Sequence, residues 1–263
     1  MARLSTSKRF VVKVGSRLLV ESTDLSTKED WLQNVAEDIA LCRQHGQDVI
    51  VVSSGAVAMG RRALGHRCHA VNHVAQQQAA AAVGQGMLLS AWNHALARHH
   101  LQVGQALLSL EDMETKQRAL NARDTFDTLL SFGVVPVINE NDTVATDEIR
   151  FGDNDRLAAR VAQLVDADTL VLLSDVDGLY TANPQQHAHA RHIPFIEEIT
   201  PSIEKMATLS AHHASTGGMV TKLMAARIAM QAGCRVVMAS GHEAYPLRTI
   251  DDKSRKKTWF LPQ

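Results

Sequence analysis

The sequence predicts an α/β protein built on a mostly parallel sheet, and three observations carry that prediction. Short β-branched runs alternate with longer segments whose apolar residues recur every three or four positions, the rhythm of βαβ units with right-handed crossovers. Several runs are apolar without alternation, as in Val49-Ile50-Val51-Val52 and Leu170-Val171-Leu172-Leu173, which marks strands buried on both faces. Aromatic residues are only 4% of the chain against 45% hydrophobic overall, so the core must be built from Val, Ile, Leu, Ala and Met. That composition suits helices packed closely on a parallel sheet better than an aromatic-rich β-sandwich.

The first strand is Phe10 to Val14, closed by Gly15-Ser16. A helix follows from Lys28 to about His45, with Leu32, Val35, Ile39 and Cys42 on one face and Gly46 as its C-cap. Asp48 to Ser53 is the next strand, ended by Ser54-Gly55, after which an Ala-rich helix resumes. The stretch from Val71 to His99 is rich in Ala and Gln and reads as a long helix whose small side chains permit close packing, against a symmetry mate included. Val103 to Leu108 is a strand, Thr115 to Leu130 a helix, Val134 to Ile138 a strand, and Asp153 to Val165 a helix. Thr169 to Leu173 is again a buried strand. The region 180–200, with Asn183-Pro184, several His and Pro194, reads as a hairpin or flap. Thr216 to Ala232 is a helix capped by Gly233, and Arg235 to Ala239 a strand. There is no internal repeat and no Pro/Ser-rich linker, so residues 1–263 are expected to form one domain.

Composition excludes several functions. A net charge of −1 without a basic tail gives no electrostatic footprint for nucleic acid. The 13 His residues, among them His45, His66, His94, His99, His100 and His212, show no metal-ligand spacing, so they read as surface histidines and no protein-held metal site is expected. Cys42, Cys68 and Cys234 form no C-x-x-C and leave an odd one over, which fits a reducing compartment. The segment Met1-Ala2-Arg3-Leu4-Ser5 has no apolar leader, and no stretch approaches the roughly 20 apolar residues of a membrane span. A soluble cytoplasmic protein without membrane partners is the expectation.

In open α/β sheets, ligands gather beyond the carboxyl ends of the strands. Here those ends carry Lys13-Val14-Gly15-Ser16, Ser53-Ser54-Gly55-Ala56, Asn139-Glu140-Asn141-Asp142 and Ser174-Asp175. No Walker A loop, protein-kinase signature, G-x-G-x-x-G, H-E-x-x-H or G-x-S-x-G is present, so a phosphate ligand must be held another way. Ser215-Thr216-Gly217-Gly218-Met219-Val220-Thr221-Lys222 offers one. Two glycines at a helix start let backbone amides and the helix dipole face an anion, and Lys222 can return towards it; the same glycines also suit a plain N-cap. Lys13 lies inside an apolar strand, where an unpaired cation is costly; it either partners an anion or snorkels from the sheet end. The clusters Asn139-Glu140-Asn141-Asp142 and Gly152-Asp153-Asn154-Asp155 fit turns, and equally fit a pocket for an amino acid's ammonium; Asp153 can also cap its helix.

Taken together, VVKVGS, SSGA, PVINEND, FGDND, LLSDVDGLYT and TGGMVTK closely resemble the amino acid kinase family, in order from about Phe10 to Lys222, with a weaker echo at Trp259-Phe260. TGGM-x-TK and SDVDG indicate the broad family; INEND followed by GDND resembles the branch that phosphorylates free glutamate on its side-chain carboxylate.

The resemblance implies an αβα sandwich around an eight-stranded, mainly parallel sheet, with an amino-acid-binding half over about 1–165 and an ATP-binding half over about 166–263. It implies that Lys13 and Lys222 flank the transferring phosphoryl, with Asp155 holding both ammoniums. Ser54, Asp142 and Asn154 would bind L-glutamate. ATP would meet Lys13, Gly15, Ser174, Asp175 and the run Thr216, Gly217, Gly218, Met219, Val220, Thr221 and Lys222. Mg²⁺ would travel with the ATP phosphates. The product would be L-glutamyl 5-phosphate, the first step of proline biosynthesis. Feedback inhibition by proline is expected from that role, with the segment Asn141 to Asp153 as a lid and Glu148 in it meeting the ammonium of either ligand. A homo-oligomer, dimer or tetramer, and a transient hand-off to glutamyl-phosphate reductase are also implied.

Three departures stand out. Ser174 replaces a frequent Thr and Asn183 replaces the usual Asp of YTADP. The sequence ends at Gln263 after a basic stretch, Lys253 to Lys257, and no C-terminal PUA domain is expected. The alternatives are family members acting on N-acetylglutamate, aspartate, carbamate or UMP, which share the ATP half but not INEND and GDND. A non-catalytic ligand-binding member is the other, opposed by the retention of Lys13, Asp155 and Lys222 together.

Overall fold

The continuous apolar runs become strands, and the three-and-four patterns become the helices that cover them. In chain order these are β1 (Arg9–Val14), α1 (Ser16–Leu19), α2 (Glu29–Gln44), β2 (Asp48–Ser53), α3 (Ala56–Leu64), α4 (Val74–Ala97) and β3 (Val103–Leu108). Next come α5 (Leu110–Glu114), α6 (Lys116–Ser131), β4 (Val135–Glu140), α7 (Asn154–Leu164), β5 (Thr169–Ser174), β6 (Leu179–Tyr180), β7 (His192–Ile193) and β8 (Phe195–Ile196). The chain continues with α8 (Pro201–Leu209), α9 (Met219–Gln231), β9 (Arg235–Ser240) and β10 (Lys257–Phe260). The computed structural model describes residues 2–65, 74–144, 154–209 and 218–262.

Eight strands form one sheet in the order β3-β4-β2-β1-β5-β9-β10-β8. From β3 to β9 every described pairing is parallel; β10 then runs against β9, and β8 runs parallel to β10. The expected eight-stranded, mainly parallel sheet is therefore present, with two reversed strands at one edge. The region read as a hairpin or flap holds the small antiparallel pair β6–β7.

Alternation along each strand divides the core into two layers. Phe10, Val12 and Val14 of β1 join Leu32, Val35 and Ile39 of α2 and Leu88, Trp92 and Leu96 of α4 on one face. Val11 joins Leu157 and Val161 of α7 and Leu223, Ala226 and Ala229 of α9 on the other. Lys13 shares the parity of Val11, so its side chain faces the layer formed by α7 and α9.

Two glycines fix the helices beside β2. A Cβ on Gly60 would lie 1.7 Å from the Ala80 carbonyl oxygen, and one on Gly84 would lie 1.8 Å from that of Ala56. The backbones of α3 and α4 thus touch, and the small residues of the Ala/Gln-rich stretch serve packing inside this chain. Gly55 joins β2 to α3 with φ +119°, in the left-handed region where a side chain is strained. Trp92 Nε1 donates to Ser53 Oγ at 2.9 Å and ties α4 to the carboxyl end of β2. No described helix is long and apolar enough to cross a membrane.

Candidate active site

Three elements converge at the carboxyl edge of the sheet. β1 brings Lys13 to within two residues of its end, α7 begins with Asn154 and Asp155, and the first turn of α9 carries Lys222. Lys13 Nζ lies 2.7 Å from Asp155 Oδ1, and Lys222 Nζ lies 3.1 Å from Asp155 Oδ2. All three side chains are buried, Asp155 to 1% exposure. The Thr221 hydroxyl adds a hydrogen bond to Asp155 Oδ2 at 3.0 Å. Burial by itself would push the Asp155 carboxyl up, but Lys13 and then Lys222 hold it at about 2, so it stays ionised. Burial holds Lys222 below its usual range; Asp155 opposes this and the Lys13 charge adds to it. Two ammoniums around one carboxylate leave a surplus positive charge in a low-dielectric setting, where an arriving anion is strongly favoured.

A second group sits beside this triad. Asn154 Nδ2 donates to Ser54 Oγ at 2.9 Å and to Asn139 Oδ1 at 3.0 Å, joining the ends of α7, β2 and β4. With both N–H bonds committed, its buried Oδ1 has no hydrogen-bond partner among the described residues. That leaves an acceptor for an ammonium or hydroxyl donor. Asp142, just past β4, is also buried, and its carboxyl is pushed up to about 7 by burial first and by the Glu140 carboxylate second. A carboxyl raised in this way is ready to ionise when a cation arrives.

The third group lines a cavity of about 700 Å³ beyond β5 and β9, to which Ser174, Asp175, Gly218, Met219 and Lys222 all contribute. Ser174 Oγ donates to Asp175 Oδ1 at 3.1 Å. Against the upward push of burial, that bond, the Asp175 backbone, Lys222 and Arg17 hold the Asp175 carboxyl below its ordinary value. Arg17 Nη1 stands 3.3 Å from Asp175 Oδ2 at the rim. Lys222, lining the cavity and bound to Asp155, connects the cavity to the triad. Gly15 is the turn after β1, and a Cβ there would approach Lys13 Nζ to 3.9 Å.

The sequence-derived residues therefore fall into one continuous edge. Lys13, Asp155 and Lys222 meet directly; Ser54 and Asn154 meet directly; Ser174, Asp175, Gly218 and Met219 share the cavity wall, while Val220 is partly exposed on α9. Thr216, Gly217 and Glu148 lie outside the described residues. The helix expected from Thr216 is described from Met219, with Gly218 as its N-cap in extended backbone, so Lys222 stands in its first turn. Asn183 is buried and its Oδ1 accepts from the Gln185 N–H at 2.9 Å, a turn contact for which an amide oxygen serves as well as a carboxylate. Asn139 belongs to the cluster read as either a turn or an ammonium pocket but was not among the residues assigned to glutamate; its bond to Asn154 gives it a positioning place in this group.

The Mg²⁺ expected with ATP is compatible with this donor set. The described residues contain no group of three or more His, Cys, Asp or Glu side chains able to hold a metal, whereas Asp175 and Asp177 on the cavity wall suit an ion carried mainly by phosphates.

A model of the amino acid kinase family matches residues 8–240. The chain is 56% identical over 262 residues to glutamate 5-kinase of Paramagnetospirillum magneticum, covering 100% of this chain and 70% of that protein. It is 52% identical over 263 residues to glutamate 5-kinase of Dinoroseobacter shibae, covering 100% and 71% respectively. Among solved structures, UMP kinase from Ureaplasma parvum superposes with a TM-score of 0.67 at 14% identity, covering 99% of this chain and all of the other. Carbamate kinase from Giardia lamblia gives 0.66 at 18%, with the same coverage. These two likenesses concern the fold.

Proposed function

The chain belongs to the amino acid kinase family, and from that premise we propose that it transfers the γ-phosphoryl group of ATP to the side-chain carboxylate of L-glutamate, giving L-glutamyl 5-phosphate. The observation that carries the reading is the buried Lys13–Asp155–Lys222 triad, one member of which also lines the large cavity. The acceptor is a carboxylate with a reference pKa of about 4.3, already ionised near neutral pH, so no general base is required. The obstacle is the approach of one anion to another. In this reading Lys13 and Lys222 offset that repulsion and neutralise charge on the γ-phosphoryl oxygens as the bond to the glutamate oxygen forms and the bond to ADP breaks. Asp155 keeps the two ammoniums in place throughout. Mg²⁺ carried with ATP would supply further charge neutralisation on the phosphates.

Ser54, Asn154 and Asp142 are the residues assigned to glutamate, with Asp142 and the open Asn154 Oδ1 facing its ammonium. Gly15, Ser174, Asp175 and the run from Thr216 to Lys222 are assigned to ATP. The same reading takes 1–165 and 166–263 as the amino-acid and nucleotide halves of one domain. It includes homo-oligomers, passage of the labile acyl phosphate to glutamyl-phosphate reductase, and feedback inhibition by proline. Proline keeps an α-carboxylate and a cationic nitrogen but has no carboxylate to phosphorylate, so it would compete for the glutamate pocket, with Glu148 as the residue whose loss weakens inhibition.

The decisive assay offers ATP and a panel of acceptors, trapping the acyl phosphate with hydroxylamine. Hydroxamate should form with glutamate. Preference for N-acetylglutamate, aspartate or carbamate would move the chain to another branch, and no hydroxamate with any acceptor would leave a ligand-binding protein.

A further inference from the structure

The basic stretch at the end of the sequence belongs to the cavity. Because β10 runs against β9, with Lys257 beside Ala239 and Phe260 beside Val236, the residues leading into β10 lie at the carboxyl edge of the sheet. Arg255, Lys256 and Lys257 accordingly line the same cavity as Lys222 and Asp175. β10 is two strands from β5, on the order of 10 Å across the sheet. The wall here is firmly built. Thr258 is fully buried, accepts from the Leu179 N–H at 2.8 Å and donates to the Ile193 carbonyl at 2.6 Å. A Cβ on Gly178 would come within 2.6 Å of that hydroxyl, so the loop after β5 is pressed against β10.

The cations on the wall differ in their partners. Lys222 is bound to Asp155, Arg17 to Asp175, and Arg255 to Glu243 at 3.2 Å. Lys257 Nζ is spent on the carbonyls of Asp252 and Arg255. Lys256 is exposed and pairs with no carboxylate among the described residues; its ammonium rests 3.3 Å from Tyr180 Oη and 5.5 Å from the centre of that ring. Tyr180 is in turn held by Asp177, both of whose oxygens lie 3.0 Å from its hydroxyl. A cation on an aromatic perch, with no direct carboxylate partner among the described residues and facing a cavity that already contains a lysine for the transferring group, is placed to meet the rest of a polyphosphate.

We propose that Lys256 is a further nucleotide-binding residue, whose ammonium contacts the phosphates that remain with the nucleoside after transfer, the diphosphate of ADP. This rests on the reading of the cavity as the ATP site. Lys256 sets nucleotide affinity, while the Lys13–Asp155–Lys222 triad sets the rate of transfer.

The test is calorimetric titration of the full chain with ADP and with adenosine at several salt concentrations. Lys256→Ala should weaken ADP about tenfold, the scale of one solvent-accessible charge-assisted contact, and flatten its salt dependence. Adenosine binding should not change, Lys256→Arg should restore ADP, and Lys253→Ala, which removes a charge from the same stretch outside the cavity wall, should leave both ligands as in the wild type. Unchanged ADP affinity in Lys256→Ala, or equal loss of adenosine, overturns the assignment. Wild-type protein that binds no ADP at all refutes the reading of the cavity itself, an outcome distinct from failure of Lys256 alone.

Discussion

At Asp155 a carboxylate with 1% exposure holds two ammoniums. Removing one ammonium leaves a neutral buried pair, so folding should survive while the phosphoryl group loses one fixed charge. Lys13→Ala and Lys222→Ala are each expected to lower kcat by at least about 10²-fold, the scale of one preorganised contact to developing charge, with little change in melting temperature. Near-wild-type turnover in either variant would remove the triad from the chemistry. Asp142 gives a prediction with a defined sign. Its carboxyl is raised to about 7 by burial and Glu140, so between the ordinary carboxylate range and about 7 the folded protein keeps a proton that the unfolded chain has released. Stability without substrate should therefore fall as pH rises through that window, and Asp142→Asn should flatten the decline. If ionised Asp142 pairs with the glutamate ammonium, KM for glutamate should drop across the same window in the wild type and not in Asp142→Asn. A pH-independent KM in the wild type would separate Asp142 from the ammonium.

Among the elements, α3 and α4 are held by backbone contact at Gly60 and Gly84, and α3 starts directly after the Ser54-Gly55 turn. Gly84→Ala should cost about 2–3 kcal/mol or more through overpacking against Ala56, roughly 5–10 °C in melting temperature. Gly86→Ala, two residues on and facing open solvent, should stabilise slightly by restricting the unfolded chain. Equal melting temperatures for the two variants would mean that the helices are not in contact as described. The sequence exposed the elements unevenly, for a physical reason. Strands such as Asp48–Ser53 and Thr169–Ser174 are legible because a buried strand writes its burial on both faces into a continuous apolar run. α1, with four residues, and α5, with five, are too short to show a helical period. The reversal of β10 was hidden because strand direction depends on the partner and not on local pattern. That reversal is what places Arg255, Lys256 and Lys257 of the basic stretch on a cavity wall. The site motifs were legible since strand ends and helix starts must carry small and polar residues wherever ligands approach backbone; the cluster holding Asn139 was legible too, but not its bond to Asn154, which depends on how α7 meets the end of β4.

Across the whole molecule, the sheet order places β4, β2 and β1 on one side of the triad and β5, β9 and β10 on the other. Ser54 and Asp142, assigned to glutamate, stand past β2 and β4 of the first group; Ser174 and Asp175, assigned to the nucleotide, stand at the end of β5 in the second, and the Lys13–Asp155–Lys222 triad lies between them. That separation predicts separable kinetics. Asn154→Ala breaks the bonds to Ser54 and Asn139 and should raise KM for glutamate about tenfold or more, while KM for ATP stays within about twofold. Asp175→Ala, which loses the Ser174 bond and the Arg17 pair at the rim of the cavity, should do the reverse. The two side chains share no partner among the described residues, so the double variant should combine the single effects to within about 0.5 kcal/mol, as independent sites do. Steady-state kinetics with each substrate varied at saturation of the other measures all of these quantities. A double variant that departs from additivity by more than about 1 kcal/mol would show that the halves act through a shared closure of the cleft, and equal effects of Asn154→Ala on both Michaelis constants would refute the division of the edge into two binding halves.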